Sequence, residues 1–338
     1  MRIEDFDYEL PTELIAQTPV EPRDSARLLV DQGSNLALHR QVKDFVEFCR
    51  PGDVVVVNDT KVIPARLRLV RESGGAAEVL LLEQDSVAPS KWEALIRPAK
   101  RLKLGETLFA SDNSEIVRIG ERTKAGDTFI VELVGKTRDD VEALLKKFGE
   151  MPLPPYIETR LERADRYQTV YANRPASAAA PTAGLHFTPK LLSDLKSAGI
   201  KILTVDLTVG LDTFAPVTSE NPLDHPMHSE HYRVTEETLE ECARAERVIA
   251  VGTTATRALE SAATSGGLSG RTKMFISRGY EFKVVDLLLT NFHMPRTTLL
   301  MMIEAFVGPR WRDLYSVAIA ERYRMLSFGD AMLLNRHL

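Results

Sequence analysis

The local pattern of the chain changes character twice, and this constrains the fold more than any single motif. From Gln41, the spacing of Val42, Phe45 and Val46 suits a short helix, Pro51-Gly52 breaks it, and Asp53-Val-Val-Val-Val-Asn58 reads as a buried strand. Beyond Arg66 come short β-rich runs, Glu78 to Glu83, Lys91 to Ile96, Glu115 to Ile119 and Thr128 to Val134, separated by Gly, Asp and Asn turns, with no apolar stripe of helical length between them. Helical spacing returns at Val141, Leu144, Leu145 and Phe148, closed by Gly149 and followed by the stiff loop from Met151 to Tyr156. From there α/β alternation resumes. Thr188 and Pro189 start a helix whose apolar face is Leu191, Leu192, Leu195 and Ala198, and Gly199 ends it before a strand from Ile200 to Leu207. Glu236 to Arg247 reads as a helix feeding the strand Val248 to Val251, Val284 to Thr290 as a further buried strand, and Trp311 to Arg324 as a helix. Such a chain is expected to be an α/β domain interrupted by a small antiparallel β unit, either a sandwich or a barrel.

At 338 residues and 44% apolar, about two domains with a sizeable core are expected. The formal charge of −5 argues against a protein that coats nucleic acid by bulk electrostatics, but leaves room for a local basic groove. Candidate clusters are Lys61, Arg66, Arg68 and Arg71; Arg97, Lys100, Arg101 and Lys103; and Arg310, Arg312, Arg322 and Arg324. Cys49 and Cys242 lie far apart, which suggests neither a disulfide framework nor a thiolate zinc site. The first residues, MRIEDFDYELP, are acidic where a signal peptide is basic and then apolar, and no window approaches the roughly 18 apolar residues of a membrane span. A cytoplasmic location is the expectation.

Four segments offer chemistry. The strand ending at Val251 runs into Gly252-Thr253-Thr254 and a helical stretch with Arg257 and Glu260, an arrangement that favours a phosphate or carboxylate or is simply a capped helix. It matches neither a Walker loop nor a G-x-G-x-x-G turn. Ala176 to Phe187 is rich in small residues that let backbone approach a ligand, with Thr182 and His186 as polar groups. Asp224-His-Pro-Met-His-Ser-Glu-His-Tyr232 concentrates three of the seven histidines with two acids, suited to proton transfer or to a metal. Pro226 between His225 and His228 disfavours a helix aligning both rings, and the spacing matches no familiar zinc motif. Finally, Asn291 and His293 stand at the end of a buried strand, where α/β sheets bind ligands.

These segments together resemble the S-adenosylmethionine:tRNA ribosyltransferase-isomerase family along the whole chain. The matching blocks are DFDYELPTELIAQTPVEPRDSARLLV, VVVVNDTKVIPARL, MPLPPYI, YQTVYA, AAPTAGLHFT, VGLDTFAPV, HPMHSEHYRV, RVIAVGTTATRALES, GYEFKVVDLLLTNFHMP and YRMLSFGDAMLL. Coverage is weakest between about residues 70 and 150. The resemblance implies a mixed-sheet α/β catalytic domain, residues 1–68 and 151–338, with an inserted antiparallel β-barrel at 69–150. It implies transfer and isomerisation of the ribosyl moiety of S-adenosylmethionine onto 7-aminomethyl-7-deazaguanine at the wobble position of a tRNA with a GUN anticodon. The products are epoxyqueuosine, adenine and methionine. S-adenosylmethionine would be a consumed co-substrate, with no metal or redox cofactor; a monomer is expected.

A proton on the carbon beside a sulfonium is acidified by the positive sulfur, so a modest base suffices, and a general acid would help adenine depart. The catalytic candidates are His186, His228, Glu230 and His293. The substrate-binding candidates are Thr182, Gly184, Gly252, Thr253, Thr254, Arg257 and Asn291, with Asn58, Asp59 and Arg66 from the VVVVNDTKVIPARL block. Gly252 to Thr254 and Arg257 would hold the methionine carboxylate. Tyr156, Tyr167, Tyr171 and Phe187 are candidates to stack on an extruded base, since anticodon loops are read as single strands. Departures from the family pattern are Thr208 in place of a histidine, Asp212 in place of a glycine, Leu287 where Asp-Gly is common, Arg278 in place of a proline and Ala176 in place of a glycine. They keep open a paralogue acting on another acceptor. Two other readings are a metal-dependent hydrolase built on His225 to His231 and a non-enzymatic RNA-binding module.

Overall fold

The protein is described by a computed structural model covering residues 1–33, 35–85, 87–123, 126, 128–208, 217, 219–224 and 229–336. It divides into two compact units, Met1–Thr60 with Pro154–Arg174 and Ala180–Leu338, and Lys61–Leu153 with Pro175–Ala179. The segment 69–150, expected as an insert, lies within the second unit.

The first unit is built on a nine-stranded mixed sheet. Its order is Ser269–Thr272, Glu230–Val234, Lys201–Leu207, Asp53–Asn58, Arg247–Val251, Leu287–Asn291, Ala331–Asn335, Arg27–Val30, Leu38–Gln41. The four strands from Lys201–Leu207 to Leu287–Asn291 are mutually parallel, so their C-terminal ends share one edge. Every residue of Asp53–Asn58 and Leu287–Asn291 is buried, as continuous apolar runs covered on both faces require.

The helix Pro189–Ser197 begins where the Thr-Pro pair predicts, with Thr188 Oγ1 accepting from Leu191 N–H at 3.1 Å. It buries Leu191 and Leu195 against Val55, Val57, Ile249 and Phe187, each leucine contributing about 1.5–3 kcal/mol. The helix Thr253–Ser265 packs on Lys201–Leu207 and Glu230–Val234. Its Glu260 is wholly buried and accepts backbone N–H groups of Lys283, Val284 and Val285 at 2.9–3.1 Å, fixing the chain that enters Leu287–Asn291. The helix expected from Trp311 to Arg324 stops at Ala320, because Arg322 adopts φ 53. The turn at Val42–Phe48 is 3₁₀ rather than α.

In the second unit, Arg66–Arg71, Ala76–Gln84, Lys91–Arg97, Phe129–Leu133, Glu115–Arg122 and Thr107–Phe109 pair in that order, all antiparallel, and Thr107–Phe109 returns to Arg66–Arg71. The sheet therefore closes into a six-stranded barrel, which settles the sandwich-or-barrel alternative. Alternating burial along Lys91–Arg97 and Phe129–Leu133 points one side of each strand into its core. The helix Arg138–Phe148 follows, capped by Thr137. No helix among the described residues is long and apolar enough to cross a membrane.

Candidate active site

The shared edge of the parallel strands carries a pocket of about 560 Å³ of empty space, part of it open to solvent. Three segments build its polar wall: Ala180–Ala183, Gly252–Thr254 and Thr290–Met294. Tyr156, Thr297, Leu299, Leu326 and Ser327 complete it. Six of the catalytic and substrate-binding candidates meet here: Thr182, Gly252, Thr253, Thr254, Asn291 and His293.

Gly252 turns the chain from strand to helix at φ 89, which a side chain would strain, and no side chain caps the helix that follows. The first N–H groups of Thr253–Ser265 therefore face the pocket without an intrahelical acceptor. Thr254 Oγ1 is buried and has no hydrogen-bond partner among the described residues, and it lies 3.8 Å from where a Cβ on Gly252 would stand. These donors at a positive helix end suit a carboxylate.

Thr182 Oγ1 donates to Asn291 Oδ1 at 2.9 Å, while Asn291 Nδ2 donates to His186 Nε2 at 3.1 Å and to the Asp330 carbonyl at 3.3 Å. His186 is buried in the turn Thr182–His186 and does not line the pocket. It orients Asn291, which does. Burial holds its pKa at about 4, so it is neutral at physiological pH. His293 does line the pocket, pairs with Thr290 Oγ1 at 3.1 Å, and is pushed down by burial to about 3. Its backbone is clamped by the Tyr315 hydroxyl, which accepts from its N–H at 2.9 Å, and by Tyr8, which donates to its carbonyl at 2.6 Å.

Other candidates fall elsewhere. Arg257 and Glu230 form a buried ion pair between the helix and the strand Glu230–Val234, so neither presents a free charge to the pocket. Gly184 serves packing: a Cβ there would stand 1.9 Å from the Tyr171 hydroxyl. Asn58 is engaged by the Leu207 backbone in both directions and by Thr60 N–H, tying two strands together. Asp59 sits at the same sheet edge but does not line the pocket. Arg66 belongs to the barrel unit and reaches the Leu153 carbonyl at 3.4 Å. His225, His228 and Asp212 lie outside the described residues.

Of the stacking candidates, only Tyr156 lines the pocket, its hydroxyl 2.7 Å from Ser327 Oγ. Tyr167 and Phe187 are core residues, and Tyr171 packs edge-on against Phe187. Among the basic clusters, Arg310 pairs with buried Asp31 and Arg324 with the Thr18 carbonyl, while Arg68 and Arg71 pair with Glu150 and Glu106. Arg97, Lys100, Arg101 and Lys103 are exposed, and their side chains form no ion pair among the described residues, although Lys103 N–H donates to Glu106 at 2.9 Å.

Two departures acquire a place. Arg278 Nη2 donates to buried Glu304 at 2.7 Å, and Leu287 is a core residue at the start of its strand. Thr208 follows the strand Lys201–Leu207 and does not line the pocket. Sequence reasoning passed over Ser327 and Thr290 as site residues, although both stand inside quoted blocks.

The model of the queuosine biosynthesis protein family matches residues 3–334. The S-adenosylmethionine:tRNA ribosyltransferase-isomerase of Rubrobacter xylanophilus is 50% identical, over 99% of this chain and 98% of its own. The protein of the same name from Moorella thermoacetica is 50% identical over 99% and 100%. The crystal structure of S-adenosylmethionine tRNA ribosyltransferase from Thermotoga maritima is similar over 97% of this chain and 99% of that one, at 36% identity and a TM-score of 0.55. A match that runs almost end to end, at such identity, means that the chain belongs to the queuosine biosynthesis protein family.

Proposed function

We propose that this chain transfers and isomerises the ribosyl moiety of S-adenosylmethionine onto 7-aminomethyl-7-deazaguanine at the wobble position of a GUN-anticodon tRNA, forming epoxyqueuosine and releasing adenine and methionine. The observation that carries this reading is the whole-chain membership of the family, in which relatives named S-adenosylmethionine:tRNA ribosyltransferase-isomerase reach 50% identity. The pocket supports it chemically. Free N–H groups at the start of Thr253–Ser265, with the Thr254 hydroxyl, would hold the methionine carboxylate; Arg257 is committed to Glu230 and is not needed there.

His293 is unprotonated at neutral pH and stands on the pocket wall. In this reading it accepts the proton from the carbon beside the sulfonium, whose acidity comes from the sulfur. Burial disfavours the imidazolium so formed, which makes it a ready donor to the departing adenine. Asn291, oriented by Thr182 and His186, hydrogen-bonds a neutral polar group of the co-substrate. The exposed cations Arg97 to Lys103 on the barrel would contact tRNA phosphates. We further place the enzyme in the cytoplasm as a monomer that consumes S-adenosylmethionine and needs no resident metal or redox cofactor.

The test incubates the protein with S-adenosylmethionine and tRNA bearing the deazaguanine precursor, then examines digested nucleosides by mass spectrometry. Epoxyqueuosine with equimolar adenine and methionine is expected, and His293→Ala should slow its formation by about 10²-fold or more. Turnover of S-adenosylmethionine that leaves the precursor base unchanged would overturn the reading.

A further inference from the structure

At the same sheet edge, two strands leave the sheet with one carboxylate each. Asp53–Asn58 and Lys201–Leu207 run parallel with Val205 opposite Asn58, so Asp59 and Asp206 emerge side by side, and Asp59 N–H bonds the Val205 carbonyl at 3.0 Å. Among the described residues one cation pairs here: Arg174 Nη1 donates to Asp206 Oδ2 at 2.5 Å, while the Asp59 carboxylate accepts from the Asn173 side chain. Asp206 is only 6% exposed, yet its Oδ1 has no hydrogen-bond partner among the described residues. Thr60 Oγ1 and the Tyr171 hydroxyl are likewise buried and unpartnered among the described residues. Gly184 leaves the room that the Tyr171 hydroxyl occupies, placing it against the Thr182–His186 turn, whose first two residues line the pocket.

Adjacent like charges disfavour each other, and among the described residues a single guanidinium faces the two carboxylates of this half-buried corner. The corner asks for one more cation, and for one that can donate a hydrogen bond to Asp206 Oδ1. Burial, and then the neighbouring Asp206 charge, push the Asp59 carboxyl above the usual carboxylate range, which makes it a better proton acceptor than an exposed aspartate.

We propose that Asp59 and Asp206 form the subsite for the primary ammonium group of the acceptor base, Asp206 binding it and Asp59 taking one of its protons. This rests on the reaction proposed above. In the step, one ammonium N–H bond breaks and an O–H bond forms on Asp59, which leaves a neutral amine whose nitrogen lone pair is free to act as the nucleophile.

The test measures binding of S-adenosylmethionine and of two tRNAs that differ only at the wobble base, one with 7-aminomethyl-7-deazaguanine and one with its neutral 7-cyano counterpart. Wild type should prefer the aminomethyl tRNA by about ten-fold or more. Asp59→Asn and Asp206→Asn should lose that preference while their affinities for S-adenosylmethionine and the cyano tRNA stay within about two-fold of wild type. Arg174→Met removes the counter-charge, keeps both carboxylates, and should retain or widen the preference. If Asp206→Asn does not fold, Asp59→Asn decides alone, since Asp59 makes no ion pair among the described residues. A preference that survives in the asparagine variants overturns the subsite. Failure of wild type to convert the aminomethyl tRNA overturns instead the reaction on which it rests.

Discussion

The two buried histidines tie the pocket to solution pH. Both have folded pKa values below the ordinary 6.5, His186 at about 4 and His293 at about 3, so the unfolded chain binds more protons than the folded one as pH falls. Their contribution is complete above about pH 6.5 and is lost progressively towards pH 4, amounting to a few kcal/mol. Melting temperature measured from pH 7.5 to 4.5 should fall for wild type, and the His186→Gln fall should be shallower; parallel curves would refute the assignment. Residues of this kind show how far a sequence can be read. Thr182, Gly252, Thr254, Asn291 and His293 were legible because strand ends and helix starts are visible in the local pattern. Glu230 and Arg257 drew attention through their chemistry, while the pairing that occupies them joins distant parts of the chain. Asp206 escaped notice for a related reason, since only strand register sets it beside Asp59.

Among elements, those with a strong period were readable and those with polar or very short patterns were not. The four inner strands and the Pro189–Ser197 and Arg138–Phe148 helices stand near their expected places. Leu38–Gln41 and Ser269–Thr272 were missed because an edge strand of four residues carries too little apolar alternation to register. The helix Thr298–Val307 was missed because it is buried nearly all round, which removes its polar face. The Arg257–Glu230 pair fastens a helix to a strand, and its energetics belong at this scale. Glu230→Gln should lower stability by about 3–5 kcal/mol by leaving a guanidinium buried and unpaired. Adding Arg257→Met should restore much of that loss in a denaturant melt; a double variant no better than Glu230→Gln would point to a role beyond the pair.

For the molecule as a whole, net charge and local charge point in opposite directions. The total of −5 repels a polyanion, whereas the barrel exposes Arg97, Lys100, Arg101 and Lys103, whose side chains form no ion pair among the described residues. Binding of tRNA should therefore weaken steeply with salt, and Lys100→Glu with Arg101→Glu should flatten the log–log slope by about 1–2 while S-adenosylmethionine affinity is unchanged. An unaltered slope would move the phosphate contacts elsewhere. The same barrel differs from the nine-stranded sheet in a way that bears on handling rather than catalysis. Closure leaves its six strands no open flank, while the larger sheet ends in two. Self-association at high concentration, or during synthesis before the chain is complete, would accordingly start from Leu38–Gln41 or Ser269–Thr272. Both are brief, and His39, Arg40 and Arg271 make them poor templates for a further strand.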